Sequence, residues 1–84
     1  MDSQPRPLEL LKFIVGALVD EAEAVSIEEV QDDHSRVFKL RVAPGDIGRV
    51  IGKEGRTAKA IRTIIGVATA RDGQKAKLDI VDSD

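Results

Sequence analysis

The chain has 84 residues, 42% of them hydrophobic and 33% charged, with a formal net charge of −2, no cysteine and one histidine. A domain this small buries only ~60% of the surface its unfolded chain exposes, which leaves little room for a deep catalytic cleft. Without cysteine neither a disulfide framework nor a thiolate metal site can form, and His34 alone cannot hold zinc, so no cofactor or metal is expected.

The run LLKFIVGALV, residues 10–19, is too short to span a bilayer. It carries Lys12 within it and meets Asp20 and Glu21 instead of a small-residue cleavage site. A soluble, cytoplasmic chain is the expectation, with no membrane partner. From Pro7 to about Ala24, Leu8, Leu11, Val15, Leu18, Val19 and Ala22 recur at helical spacing, and Pro5 and Pro7 suit the approach and first turn. Leu10, Phe13 and Ala17 fall on a second side of this helix. Its wide apolar surface is to be covered by core packing, or else by self-association.

Residues 26–31 read as a weak, acid-rich edge strand, and Asp32-Asp33-His34-Ser35 as a turn with His34 exposed. From Arg36 to Ala43 the alternation is clean: Phe38, Leu40 and Val42 take one face, and Val37, Lys39 and Arg41 the other. Pro44-Gly45-Asp46 ends that strand and opens a short helix whose buried side is Ile47, Val50 and Ile51. Gly52 stops it. A longer helix follows from Arg56 to about Arg71, with an apolar stripe of Ala58, Ile61, Ile64, Ile65 and Ala68. Arg56, Lys59 and Thr63 stand opposite the stripe, and Arg62 at its flank. Gly66 in its interior should cost ~1 kcal/mol relative to alanine, and close packing or an early helix end would account for it. Asp72-Gly73 is a turn, and Ala76, Leu78 and Ile80 alternate as a third strand.

Charge is segregated along this order. Residues 49–77 hold eight Lys/Arg against Glu54 and Asp72, a net of +6, whereas the remainder holds five against thirteen acids, a net of −8. One face is therefore offered to a polyanion on an acidic body. At its centre lies RVIGKEGRTAKAIR, residues 49–62. The spacing is wrong for a nucleotide P-loop, since only three residues separate Gly48 from Gly52 and Glu54 follows Lys53. A helical turn, not a strand, precedes the glycines, which argues against a dinucleotide fingerprint. What fits is helix–GKEG–helix: glycines free the backbone, the second helix presents its first amides beside the loop, and Lys53 and Arg56 bring charge to the same place. Arg49 and Lys59 extend the contact. No acid has a base or nucleophile partner, so a binding protein is expected and an enzyme is not.

At these residues the chain resembles the KH-domain family, with IGRVIGKEGRTAKAI matching its I-G-x-x-G core and flanking helices. A helix ahead of two strands resembles the type II arrangement, and a single domain over 1–84, core about 7–82, resembles the small bacterial single-KH proteins of the KhpA type. The resemblance implies an α+β fold of order α-β-β-α-α-β, a three-stranded sheet with three helices on one face, and a groove for about four nucleotides of single-stranded RNA. By that analogy Gly52, Lys53, Glu54 and Gly55 clamp the RNA backbone. Ile47, Gly48 and Ile51 line the groove from the short helix, Arg56 and Lys59 from the long one, and Leu78 or Ile80 from the third strand. Glu54 is discordant, because an acid there repels phosphate unless it points to water or pairs with Arg56 or Lys59.

The only aromatic residues are Phe13 and Phe38, both at positions expected to be buried, so base stacking in the manner of an RRM or OB-fold is not available. The resemblance further implies an RNA chaperone or post-transcriptional regulator, linked in some bacteria to cell shape and division, and a larger partner with a KH domain of its own. A homodimer is expected, in which avidity raises affinity without new contacts. The rival expectation is a protein-interaction module working through the apolar first helix, with little nucleic-acid binding.

Overall fold

The structure, a computed structural model, describes residues 6–81. Pro5 and the outermost parts of the 1–84 and 7–82 spans lie outside the described residues. Helix α1 (Pro7–Leu18) is followed by a 3-10 turn, Ala22–Ala24, and strands β1 (Ser26–Gln31) and β2 (Ser35–Arg41). A second 3-10 turn, Pro44–Asp46, opens helix α2 (Ile47–Ile51). A third, Lys53–Gly55, joins it to helix α3 (Arg56–Ala70), and β3 (Lys75–Val81) follows.

The three strands form one mixed sheet in the order β1-β2-β3. β1 runs antiparallel to the central β2, and β3 runs parallel to it. The α+β architecture and element order are those of a type II KH fold. Phe38 and Leu40 of β2 are fully buried and form one core with Leu11 and Val15 of α1, Val50 of α2 and Ile61 and Ile65 of α3. Leu78 and Ile80 of β3 pack against it, as does Ile27 of β1. All three helices thus meet the same face of the sheet. The alternation of Phe38, Leu40 and Val42 explains why: each side chain two residues along points the same way.

Three boundaries or placements differ from the periodicity. α1 stops at Leu18, six residues short of Ala24, because the amides of Asp20 and Glu21 turn away to donate to the carboxylate of Asp46 at 3.2 and 3.1 Å. Ala22 therefore leaves the apolar stripe and is exposed. Phe13 is not buried but 76% exposed, since the core takes only the Leu11–Val15 side of α1. Ile64 and Ile51 are also partly exposed, and the innermost line of α3 runs instead through Ile61, Ile65 and Thr69.

Gly66 lies four residues before the end of α3, so the helix does not stop early there. A Cβ at Gly66 would meet nothing within 4 Å, so close packing does not explain it either. Nothing in the fold requires glycine at this position.

Candidate nucleic-acid interface

The connection from α2 to α3 is built on left-handed backbone. Gly52 has φ 77° and ψ 175°, Glu54 φ 57° and ψ 26°, and Gly55 φ 75° and ψ 12°. Glu54 is the one non-glycine with positive φ among the described residues. Holding it there costs on the order of 1–2 kcal/mol. The two glycines have different reasons. A Cβ at Gly52 would collide with the Thr57 hydroxyl and lie 2.9 Å from the Thr57 amide nitrogen, so α3 can begin where it does only because Gly52 is bare. At Gly55 a Cβ would meet nothing, and only the backbone conformation favours glycine.

Several loop amides are engaged internally. Gly52 N–H donates to the Gly48 carbonyl at 2.8 Å, Gly55 N–H to the Gly52 carbonyl at 3.2 Å, and Arg56 N–H to the Lys53 carbonyl. These three are not available to a ligand, and among them Arg56 is the one that belongs to the first amides of α3.

The cations fall into two groups. Arg49 is held by acids: its Nη2 lies 2.9 Å from Asp20 Oδ2 and its Nε 3.2 Å from Asp46 Oδ1. Arg56 Nη2 lies 3.4 Å from Glu54 Oε1, the pairing that keeps the Glu54 charge from standing alone in the loop, although both side chains remain largely exposed. Lys53, Lys59 and Arg62 are exposed and make no ion pair among the described residues.

A shallow groove of about 310 Å³ runs beside the loop, lined by Gly55, Ala58, Lys59 and Arg62 from the loop and α3, and by Leu78 from β3. Gly55, Lys59 and Leu78 are thereby brought together. Ile47, Gly48 and Ile51 are not on this wall, nor is Ile80, which packs toward the core. Arg62, read from the sequence only as a flanking residue, is part of the groove. Its position one helical turn beyond Lys59 and Ala58 is the signal that marks it.

The sequence pattern of the KhpA/KhpB KH domain matches residues 8–80, with the glycine turn inside the matched stretch. The chain belongs to this family. Its relatives include proteins named RNA-binding protein KhpA from Chlamydia trachomatis serovar D, 49% identical over 74 residues, covering 88% of this chain and 95% of the relative. The corresponding protein of Borreliella burgdorferi is 39% identical over 75 residues, covering 89% and 92%. That of Clostridium perfringens is 42% identical over 73 residues, covering 87% and 97%. No solved structure matches significantly.

Among the described residues no three His, Cys, Asp or Glu side chains converge to hold a metal ion. No described helix is long and apolar enough to cross a membrane.

Proposed function

We propose that this protein is a non-enzymatic RNA-binding protein that holds a short single-stranded segment in the groove between the α2–α3 turn and β3. The observation that carries the reading is the groove itself, where Lys59 and Arg62, without an ion pair among the described residues, face Leu78 beside the left-handed Gly52–Gly55 turn. Phosphates lie toward Lys53, Lys59 and Arg62, with Arg56 as a further contact once Glu54 yields it. Bases rest on Ala58 and Leu78. Arg49 acts by holding α2 in place and adds less direct charge. Ile47, Gly48 and Ile51 shape the approach from α2. The relatives named RNA-binding protein KhpA support this assignment.

In this reading the whole chain serves as one KH domain of the cytoplasm, working as an RNA chaperone or post-transcriptional regulator. Low sequence selectivity follows from contacts made mainly to phosphate. A homodimer, or pairing with a larger KH-domain protein, raises affinity by avidity.

The test is the variant Lys53→Ala/Lys59→Ala/Arg62→Ala, titrated with single-stranded RNA. Binding should weaken at least tenfold while thermal unfolding stays unchanged, and for the parent log K should fall with log[salt] at a slope of about −2 for three phosphates. Equal binding by the triple variant, or a slope near zero, would overturn the assignment. Gly52→Asp is a poor probe, because any side chain there strikes Thr57.

A second reading, a protein-interaction module, is favoured by one observation: Phe13 is 76% exposed on α1. In that reading Phe13 and its half-buried neighbours Leu10 and Ile14 face a second chain. Sedimentation of the parent and of Phe13→Glu tests this use of α1: a dimer that dissociates in the variant supports it, and a 9.1 kDa species in both removes it.

A further inference from the structure

The groove uses only one side of β3. Leu78 points inward with Ala76 and Ile80, while Lys75 and Lys77 alternate outward on the sheet face that no core residue occupies. Register places further cations on that same face. Val37 pairs with Lys77, Lys39 with Asp79 and Arg41 with Val81. Lys77 of β3 thus lies diagonal to Lys39 of β2, with Lys75 and Arg41 the next outward positions on their own strands to either side.

None of these four makes an ion pair among the described residues. Among the described residues two acids share the face, Asp79 and Glu28, and both flank Lys39 in register. Lys75, Lys77 and Arg41 therefore remain as exposed charges without a compensating partner among the described residues. Lys77 links this face to the groove: it is the residue before Leu78, on a strand that has no further neighbour in the sheet among the described residues.

We infer that the open face of the sheet is a second RNA-contacting surface. A strand leaving the groove at Leu78 crosses the β3 edge, and its following phosphates lie on Lys77, Lys75 and the Lys39–Arg41 end of β2. Charge complementarity selects the occupant: a cationic diagonal on an acidic body, one residue from the proposed groove, suits the continuation of the same polyanion. The inference rests on the RNA-binding reading above and lengthens its footprint beyond the groove. It also gives two bound segments opposite faces of one small sheet, an arrangement suited to keeping them apart.

The experiment compares oligouridylates of five and fifteen nucleotides on the parent, on Lys75→Gln/Lys77→Gln, and on the groove variant Lys53→Ala/Lys59→Ala/Arg62→Ala. Comparing proteins at one length removes the advantage that a long strand has from offering more registers. Lys75→Gln/Lys77→Gln should bind the fifteen-mer about fivefold more weakly and the five-mer within twofold of the parent. Its fifteen-mer salt slope should be shallower by about 1.4, or 0.7 for each phosphate that the two lysines no longer neutralise. If the fifteen-mer is bound as well as by the parent, or both lengths weaken equally, the second surface is wrong. If the groove variant loses both lengths while the lysine pair is neutral, the RNA-binding reading stands and this inference alone falls. If the parent binds neither oligonucleotide, both fall together.

Discussion

Removing the Asp46 carboxylate should loosen the base of the candidate interface more than any surface change near it. Asp46 is 3% exposed, accepts the Asp20 and Glu21 amides at 3.2 and 3.1 Å, and receives Arg49 Nε at 3.2 Å. These contacts tie the exit of α1 to the start of α2 across 25 and 26 residues of chain. Asp46→Ala leaves two partly buried amides unsatisfied and Arg49 with Asp20 alone. Each hydrogen bond to a charged group is worth ~1.5–3 kcal/mol, and partial access of water reduces the sum, so about 3 kcal/mol is expected. A domain of this size has on the order of 4–13 kcal/mol of stability in total, so the loss is large. Asp46→Asn keeps one acceptor but turns an NH2 toward an N–H, and should cost about 2 kcal/mol. Asp20→Ala removes only the exposed half of the Arg49 pair, worth ~0.5 kcal/mol. Urea unfolding with unchanged m-values gives all three numbers. If Asp46→Ala lies within about 0.5 kcal/mol of the parent, or Asp20→Ala costs as much, the buried carboxylate does not hold α2 and the reasoning fails.

Three further outcomes are expected. Gly66→Ala should raise stability by up to ~1 kcal/mol, a gain of a few degrees in Tm, since a methyl there meets nothing and the helix interior favours alanine; a loss would show an unseen need for glycine. Gly52→Ala should cost ~2–4 kcal/mol, from positive φ together with collision with Thr57, and Gly55→Ala only about 1 kcal/mol from φ alone; equal losses in chemical denaturation would contradict the packing difference. The amides of His34 and Ser35 hold the Asp32 carboxyl below the usual aspartate range. Its folded pKa is thus lower than its unfolded one, so its contribution is present above the unfolded value and is lost as pH falls through the folded value. Below about pH 4, Asp32→Asn should therefore show a shallower decline in stability than the parent, and parallel curves would refute this.

Local pattern carried most of the fold. The period-two run from Phe38 to Val42 and the helical stripe through Ile61 and Ile65 each report their own buried face, and both are legible from spacing alone. The end of α1 is not, because it is decided by Asp46, a residue far along the chain that captures two amides. Phe13 shows a related limit: periodicity reveals a surplus of apolar residues on a helix, but not which side the sheet will cover. In the candidate interface, the glycine turn and Lys59 could be read directly. The Glu54–Arg56 pair is one of the outcomes open to the loop acid. The Thr57 contact of Gly52, by contrast, depends on how α2 and α3 approach one another, and the capture of Arg49 by Asp20 on where the exit of α1 meets α2, which no spacing encodes.

The parallel pairing of β3 with β2 has a consequence for synthesis. Ser35 finds its neighbour in Lys75, forty residues downstream, and Leu78 arrives later still. A ribosome that has made everything through α3 has produced a sheet with one flank open and only half of the proposed groove. On the proposed reading, competence to grip a transcript and completion of the native topology should therefore appear together, within the time taken to translate a single strand.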